Sequence, residues 1–505
     1  MADNAQGQPL LPAGPRALVT FSLALAVFTN VLDISIANVS IPTIAGELAV
    51  SSSQGTWIIT SFAAANAVAV PISGWLAKRV GEVRLFVICT LLFTLFSFAC
   101  GISFTFPMLL ISRALQGAVA GPMIPLSQSL LLQNYPRHQH GFANGVWGMT
   151  AVVGPVAGPI LGGWITDNFH WSWIFFINVP IGLFSAAITW TLLRDRETET
   201  MRLPIDLIGL GLLIVWVTAL QIMMDKGLEE AWFQSRFIIA LGVVAVVAMV
   251  IWVVWELTDE RPVVDLRLFA QRNFSVASIS MTFGYMAYFA GVVVFPLWLQ
   301  NYHGYTATWA GIATSSLGIM GVVASPIIGR LADKFDVRVL VTIGMLLFAV
   351  LSFQKASFNI QASFMQLFLV RLPWGIGLAC FFIPLITLAM SGMPSNQIAS
   401  ASGLFNFLRG MALSLGTSVS QTIWYHRSAL HDQQLSASVT ALDPATRQWL
   451  HQAYEIGMSQ MQALAVLGRQ ISRQAFMLGL NDMYWLAGWL FLALIGLVWF
   501  SKRPG

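Results

Sequence analysis

The chain has 505 residues, of which 57% are hydrophobic and only 10% are charged, and its formal net charge is +4. Soluble domains contain about a quarter charged residues, so this composition excludes a water-soluble protein and predicts a polytopic membrane protein. The apolar runs are continuous and about 20 residues long, which suits helices that cross a bilayer and excludes the alternating strands of a membrane barrel. The small net charge gives no indication of a nucleic-acid partner.

Fourteen apolar runs follow one another along the chain, and each predicts a transmembrane helix. They cover residues 17–41, 55–77, 84–103, 107–133, 142–166, 171–193, 205–224, 236–256, 273–299, 309–330, 338–356, 363–390, 399–424 and 482–500. The predicted fold is therefore all-α, and the even number of helices places both termini on one side of the membrane.

The distribution of basic residues predicts which side that is. Sixteen Lys and Arg residues lie on the side of the termini and seven on the other, four of these in one long loop. Because cytoplasmic loops are enriched in Lys and Arg, both termini are predicted to be cytoplasmic. Residues 1–16 are polar and rich in Pro and Gly, and we expect them to form a cytoplasmic tail.

Similar segments recur in the two halves of the sequence. The connection after the second run begins with Gly74 and resembles the one after the tenth, which begins with Gly329; Arg113 in the fourth run matches Arg371 in the twelfth. The repeats are eight runs apart, whereas a duplicated six-helix unit would place them six apart. We therefore expect an N-terminal six-helix bundle over 17–193, two inserted helices over 205–256 and a C-terminal six-helix bundle over 273–500. Internal duplication of this kind is typical of transporters.

Asp33 is the only one of 22 carboxylates in the middle of a long apolar run, and all seven histidines lie outside the runs. An ionisable residue at membrane depth is costly and is a functional-site hypothesis by default. Burial disfavours a charged carboxylate and a nearby cation favours it. Asp33 with Arg113 is therefore the candidate proton-coupling site. The alternative is a structural ion pair, or an aspartate that caps a break in the first helix.

Five segments resemble motifs of the major facilitator superfamily, most closely of its fourteen-helix drug:proton antiporter branch. They are the two loop motifs, with Gly74, Arg79 and Gly81 and with Gly329, Asp333 and Lys334; the first-helix motif Leu32 to Pro42; the fourth-helix motif Arg113 to Gly117; and the antiporter motif in the fifth helix, with Gly154, Gly158, Pro159, Gly162 and Gly163. The first loop motif departs from the superfamily pattern, because Lys78 stands where an aspartate is usual. The resemblance extends over essentially the whole chain and implies the major facilitator fold, with two six-helix bundles and two inserted helices.

The antiporter-motif glycines Gly154, Gly158 and Gly162 recur every four residues and so share a helix face, which permits close helix packing. That packing could set how one half moves against the other, or be ordinary membrane packing. The loop motifs are expected to take part in gating.

Polar and aromatic residues within the runs are candidates for a substrate cavity suited to flat, amphipathic or cationic molecules. They are Asn30, Asn38, Gln116, Tyr285, Tyr288, Phe289, Asn406 and Arg409. Aromatic side chains in membrane helices are also common in simple packing, and that alternative stays open for each of them.

Residues 425–480 form a long connection that is predicted to be a mostly helical periplasmic loop. Asp443 followed by Pro444 is typical of a helix start, and Leu464, Leu467 and Ile471 share one helix face. The segment could dock a periplasmic adaptor protein, as the resemblance implies, or form a lid on the transporter's own outer surface.

The resemblance implies a proton-coupled antiporter in the bacterial inner membrane that exports hydrophobic or amphipathic toxic compounds by alternating access. It also implies an adaptor and an outer-membrane channel as partners. The alternative is export of a specific endogenous metabolite or siderophore. A membrane enzyme or a channel is a third hypothesis, disfavoured because the histidines are scattered and no phosphate-binding GxxxxGK[ST] loop is present. Neither a cofactor nor a metal site is expected.

Overall fold

The structure is a computed structural model that describes residues 11–50, 52–55, 57–136, 139–201, 206–260, 262–440 and 443–503. In this part of the chain the structure is helical, without β-strands. The helices are α1 (Ala13–Glu47), α2 (Ser52–Gly55), α3 (Trp57–Val80), α4 (Glu82–Gly101), α5 (Phe106–Gln133), α6 (His140–Asn168), α7 (Trp173–Phe176), α8 (Asn178–Leu193), α9 (Leu207–Lys226), α10 (Arg236–Thr258), α11 (Arg272–Trp298), α12 (Ala307–Ala332), α13 (Val337–Lys355), α14 (Phe364–Met390), α15 (Ser395–Ser438), α16 (Pro444–Glu455) and α17 (Gln460–Val498).

Local sequence signals set several helix ends. Ser363 and Ser459 begin α14 and α17 with a capping box, in which the serine accepts a hydrogen bond from the backbone N–H three residues on and a glutamine side chain accepts one in return. Asp443 caps α16 as the sequence predicts, because its side chain accepts from the backbone N–H of Thr446 at 2.8 Å. These contacts satisfy backbone donors that the first turn of a helix leaves free.

Among the described residues, twelve helices are long and apolar enough to cross a membrane. Two further long helices, α6 and α15, correspond to the remaining predicted runs. α6 packs against α12 and α14, and α15 packs against α3 and α5. Each of these two helices thus has one face in contact with the other half of the protein. The prediction of an all-α membrane fold with about fourteen spans is confirmed.

We call α1–α8 the first half and α11–α17 the second half of the protein, with α9 and α10 between them in the sequence. In the first half (α1–α8), α1 packs on α6 and α8 while α3 and α4 pack on α5; in the second half (α11–α17), α12 and α13 pack on α14 while α15 packs on α11 and α17. The inserted α9 and α10 pack on each other. α9 also contacts the second half, where the Trp216 ring lies 5.8 Å from the Phe407 ring of α15.

Both ends of the described part of the chain lie at one end of the bundle, which we call the terminal face. The Arg16 guanidinium at the start of α1 lies 5.1 Å from the ring of Tyr135, just after α5. Arg503, after α17, lies 3.9 Å from Asp336, between α12 and α13. The opposite end is the distal face.

α15 and α17 continue beyond the distal face. With 44 and 39 residues they are about 66 and 58 Å long at 1.5 Å per residue, whereas the hydrocarbon core is about 30 Å thick. The parts of α15 and α17 beyond the distal face lie side by side, and Arg427 and His431 of α15 are both 2.7 Å from Asp482 of α17. We call residues 425–480, with the short α16 between the two long helices, the distal extension.

Candidate functional site

Asp33 of α1 and Arg113 of α5 form an ion pair inside the first half. The Arg113 Nη1 donates to Asp33 Oδ2 at 2.5 Å, and Arg113 Nε donates to the backbone oxygen of Ile58 at 3.1 Å. Both side chains are completely buried. The structure therefore brings together the two residues that the sequence predicts as the proton-coupling site.

Two amides complete the environment of the Asp33 carboxylate. Gln116 donates from Nε2 to Asp33 Oδ1 at 3.1 Å and accepts from Arg113 Nη1 at 2.9 Å. Asn178, the first residue of α8, donates to the same Asp33 oxygen at 3.0 Å and to Ser97 Oγ at 3.0 Å. Gln116, predicted as a cavity residue, thus contacts both members of the pair. The sequence analysis missed Asn178, an uncharged polar residue inside the predicted run 171–193.

Aromatic rings close the remaining sides of the pair. The Arg113 guanidinium lies 4.4 Å from the Phe62 ring centre and 5.5 Å from that of Phe175. Arg113 is the eighth residue of α5, about 10 Å along the helix from its distal end. The pair therefore lies below the distal face, in a site lined by apolar side chains.

Three of the antiporter-motif glycines press α6 against the part of α1 that contains Asp33. A Cβ atom added at Gly154 would lie 2.6 Å from Val31, one at Gly158 2.4 Å from Ser35, and one at Gly162 2.9 Å from Ile36. A Cβ at Gly163 would meet nothing within 4 Å. Contacts closer than about 3 Å require one of the atoms to move, so only glycine fits at the first three positions.

The loop-motif residues lie at the terminal face, where the halves meet. Asp333 accepts hydrogen bonds from the backbone N–H groups of Gly141, at 2.6 Å, and Phe142, at 3.0 Å, and so caps the start of α6 from the other half. A Cβ at Gly329 would lie 2.5 Å from the Gly141 oxygen, and one at Gly74 would lie 2.6 Å from Ser400 of α15.

The other loop-motif residues make contacts of different kinds. Lys334 lines a pocket with Phe142 at this face, and the Arg79 guanidinium lies 5.3 Å from the Trp75 ring. Gly81 has a φ of +95°, a conformation that suits glycine.

A polar network joins the halves just inside the terminal face. Gln128 of α5 accepts from Ser402 of α15 at 2.5 Å and from Asn406 at 3.4 Å, and it donates to Asn144 of α6 at 3.2 Å. Asn406, predicted as a cavity residue, thus lies in the contact between the halves. All four side chains are buried, so the halves are closed on each other at this depth.

The predicted aromatic residues of α11 form one cluster. The Tyr285 ring lies 5.9 Å from that of Tyr288 and 4.8 Å from that of Phe289. The Arg409 guanidinium of α15 lies 5.2 Å from the Phe382 ring, which stacks on Tyr285 at 6.4 Å.

The remaining predicted cavity residues lie apart from this cluster or cannot be placed. Asn30 donates to the Ala120 oxygen of α5 at 2.8 Å and is fully buried. The side chains of Asn38 and Pro159 lie outside the described part of the structure.

These features are those of a membrane transporter, and comparison with known proteins identifies the family. The sequence model of the Major Facilitator Superfamily matches residues 23–417. The solved proton:xylose symporter XylE, at 14% identity, covers 97% of this chain and 96% of its own with a TM-score of 0.60. The chain belongs to the Major Facilitator Superfamily, whose members are transporters.

Several known proteins are much more similar to this chain in sequence than that solved structure is. The chain is 50% identical over its whole length, and over 99% of the relative, to the "Multidrug export protein EmrB" of Haemophilus influenzae. It is 48% identical to the protein of the same name in Escherichia coli K12, covering 99% of this chain and 98% of the relative. The "Fatty acid resistance protein FarB" of Neisseria gonorrhoeae is 45% identical, covering 98% of each chain. The expected resemblance to the drug-exporter branch is confirmed.

Proposed function

We propose that this transporter is an antiporter that exports hydrophobic or amphipathic toxic compounds in exchange for protons, and that it has no enzymatic activity. The observation that supports this most strongly is the Asp33–Arg113 pair, completely buried within membrane-spanning helices. A charged residue at the centre of a membrane helix costs roughly 2.5–3.5 kcal/mol of insertion free energy, so a buried ion pair at this depth indicates a functional site. The names of the EmrB relatives support multidrug export.

Contacts of α1 suggest how proton binding would reach the rest of the protein. Protonation of Asp33 would remove the negative charge that Arg113 faces, which weakens the contact between α1 and α5. α1 also lies directly against Gly154 and Gly158 of α6. Because α6 forms much of the contact with the second half, a shift of α1 would change how the halves meet.

We propose that the terminal face is cytoplasmic and that the protein lies in the bacterial inner membrane, with both termini in the cytoplasm. The excess of basic residues on that side supports this orientation. The structure would then represent a state closed to the cytoplasm, with Asp333 and the Gly141–Gly329 contact as its gate. Arg79, Lys334 and the other loop-motif residues would act in opening it.

The substrate would bind between the halves, on the distal side of the Gln128 network. Tyr285, Tyr288, Phe289 and Arg409 would line that space in the second half. The rings of Trp147 and Phe382, 6.3 Å apart, would contribute one aromatic surface from each half. Flat or amphipathic compounds fit such a surface.

The distal extension is the proposed docking surface for a periplasmic adaptor of the EmrA type, which would lead to an outer-membrane channel of the TolC type. Large apolar side chains are exposed on it, with Ile456 73% and Met461 82% accessible. Exposed apolar residues grouped on one projection are typical of a protein interface. Deletion of 443–475 is expected to abolish adaptor binding; retained binding would leave the extension as a lid.

A second candidate function is export of one specific endogenous amphiphile. The printed name of the gonococcal relative, a fatty acid resistance protein, favours this possibility. Cells that gain protection against several unrelated dyes and uncouplers would support broad export, whereas protection against a single chemical class would support the narrower role.

The central test is flux in proteoliposomes. A fluorescent hydrophobic dye whose charge does not vary with pH would be followed under an imposed pH gradient, with wild type and Asp33→Asn. We expect gradient-driven flux only for wild type and for the matched control Asp225→Asn, which alters a carboxylate of the inserted α9. Unimpaired flux of Asp33→Asn would exclude Asp33 as the coupling residue.

A further inference from the structure

The second half contains two buried cations for which the described residues provide no carboxylate. Lys355, the last residue of α13, is 0% accessible, and Arg371 of α14 is 1% accessible. Both lie at the same ring, because Lys355 Nζ is 3.3 Å and Arg371 Cζ is 6.0 Å from the centre of Trp374.

Several hydrogen-bond donors around this ring are also without acceptors. Among the described residues, Lys355 Nζ, Arg371 Nε, Trp374 Nε1 and the Tyr484 hydroxyl have no hydrogen-bond partner. Lys355 Nζ lies 5.2 Å from the Tyr484 ring centre, and the rings of Trp374 and Tyr484 lie 6.4 Å apart. The cluster therefore contains four kinds of donor within one small buried region.

The contacts that the cations do make are too few to replace an anion. A desolvated cation–π contact contributes about 2 kcal/mol, but a lysine ammonium has three N–H donors and the ring face engages only one side of it. Arg371 makes one long hydrogen bond, from Nη1 to the Gly291 oxygen at 3.4 Å. Burial of unpaired cations costs several kcal/mol per ion, so an anionic partner would be strongly stabilised here.

The chain itself has no room to supply that anion from α11. Asp33 precedes Arg113 by 80 residues, and Gly291 precedes Arg371 by the same 80 residues. A Cβ added at Gly291 would already lie 2.8 Å from Trp374 and 3.0 Å from Tyr484. An aspartate at the position equivalent to Asp33 is therefore excluded by packing.

We propose that Lys355, Arg371, Trp374 and Tyr484 form a binding site for an organic monocarboxylate. This inference rests on the proposed export function, because it names one chemical class of exported compound. The carboxylate of the ligand would accept hydrogen bonds from the Lys355 ammonium, the Arg371 guanidinium and the Tyr484 hydroxyl. These side chains are buried and packed together here, so the site would open only when they separate. A flat apolar body would then lie against the rings of Tyr288 and Phe295, which are 5.8 Å from Trp374 and 4.4 Å from the Arg371 guanidinium, respectively.

The site would be reached from the distal side of the membrane helices. Arg371 is the eighth residue of α14, about 10 Å along the helix from its distal end. Lys355 ends α13 at that same face, with its side chain turned inward. A compound released toward the distal face would therefore pass this cluster.

The test is equilibrium binding of radiolabelled 1-naphthoate and its uncharged isostere 1-naphthamide to the full-length protein in nanodiscs of zwitterionic lipid. Charge-assisted hydrogen bonds favour naphthoate, which we expect to bind at least about tenfold more tightly than naphthamide. Lys355→Met and Arg371→Met are expected to remove this preference without weakening naphthamide binding. Lys226→Met, which removes an ammonium from α9, is the matched control and should retain it.

Tyr484→Phe covers the case in which the charge variants do not fold, because it removes one hydroxyl only. It should weaken naphthoate binding about threefold or more and leave naphthamide binding unchanged. Equal affinity of the wild type for both probes would overturn the proposal, as would an undiminished preference in Tyr484→Phe and Lys355→Met.

Anionic lipid is the other source of a negative head group. Nanodiscs with about one third phosphatidylglycerol, a composition in the range of anionic membranes, should leave naphthoate affinity unchanged; its loss would assign the cluster to lipid and overturn the proposal. No gradient is applied, so failure of binding leaves the dye-flux result intact, and failure of flux leaves the binding result intact.

Discussion

The two halves place an arginine at the same point and surround it differently. Arg113 and Arg371 are each the eighth residue of their helix, and each is followed four residues later by a glycine packed on a neighbouring backbone. A Cβ at Gly117 would lie 2.3 Å from the Phe62 oxygen, and one at Gly375 would lie 2.2 Å from the Leu317 oxygen. The backbone packing is therefore repeated in both halves.

The charges are not repeated. In the first half the arginine faces Asp33 and the site is a neutral pair, whereas in the second half Gly291 occupies the equivalent position and Lys355 adds a second cation. The comparison shows how a duplicated framework can hold opposite electrostatics at equivalent depths. It supports a division in which the first half binds the proton and the second half binds an anionic ligand group.

The largest expected difference between the halves is the effect of removing each arginine. Arg113→Met leaves Asp33 buried without a cation, so we expect a loss of about 3–5 kcal/mol in stability and no gradient-driven flux. Arg371→Met removes a cation that faces no carboxylate among the residues described by the structure, and the stability of this variant should change little or rise. Thermal unfolding in detergent measures both, and equal losses would show that the two arginines have equivalent roles.

The packing of α6 on α1 should be disturbed by alanine only at those glycines that face α1, the helix that contains Asp33. Gly158→Ala introduces a Cβ that would lie 2.4 Å from Ser35, and overpacking of this kind costs about 1–3 kcal/mol. Gly163→Ala is the matched control because its Cβ meets nothing within 4 Å. We expect dye flux and thermal stability to fall for the first variant alone; similar behaviour of both would contradict a specific role for this helix face.

Removal of the second-half ammonium should stabilise the protein without ligand. Lys355→Met keeps the length of the side chain and removes a buried charge, so stability should rise by about 1 kcal/mol or more. Lys226→Met removes an ammonium that is 15% accessible and pairs with Glu229 at 2.7 Å; pairs of this kind contribute little, so stability should change by less than about 1 kcal/mol. A clear loss of stability in Lys355→Met would show that Trp374 alone satisfies the ammonium.

The smallest expected effect is that of the cap between the halves. Asp333→Asn weakens the charged acceptor at the start of α6, which contributes about 0.5–1 kcal/mol at a helix N-terminus. The state closed at the terminal face should become less populated. Faster hydrogen exchange of the first turn of α6 would show this, whereas unchanged exchange would mean that the glycine contacts hold the closure by themselves.

The sequence predicted the membrane helices from their long apolar runs. It predicted the Asp33–Arg113 site because charged residues are rare within such runs. A carboxylate in a long apolar run stands out, and few neighbours compete to pair with it. The Asn178 contact was not predictable in this way, because it depends on how α8 begins after the short α7. Nothing in the local sequence distinguishes that asparagine from an ordinary helix start.

Lys355 is a second residue whose environment the sequence did not predict. Lys355 is one of the seven basic residues that the sequence analysis counts on the side opposite the termini, yet its side chain is fully buried. Long basic side chains can extend several ångströms away from their backbone position, so a run boundary does not fix where the charge lies. Similarly, the extent of α15 beyond residue 424 could not be predicted, because its polar continuation to Ser438 lacks a Pro or Gly that would mark an end.

Proton release on substrate binding tests the central role of Asp33 most directly. Purified protein would be held in weakly buffered detergent solution at a pH at which Asp33 is protonated before the substrate binds. A dye that has no titratable group would then be added as the substrate, and the change in the pH of the solution would be recorded. We predict acidification by wild type and by Asp225→Asn, and none by Asp33→Asn. Equal proton release from Asp33→Asn, at equal dye binding, would contradict the account.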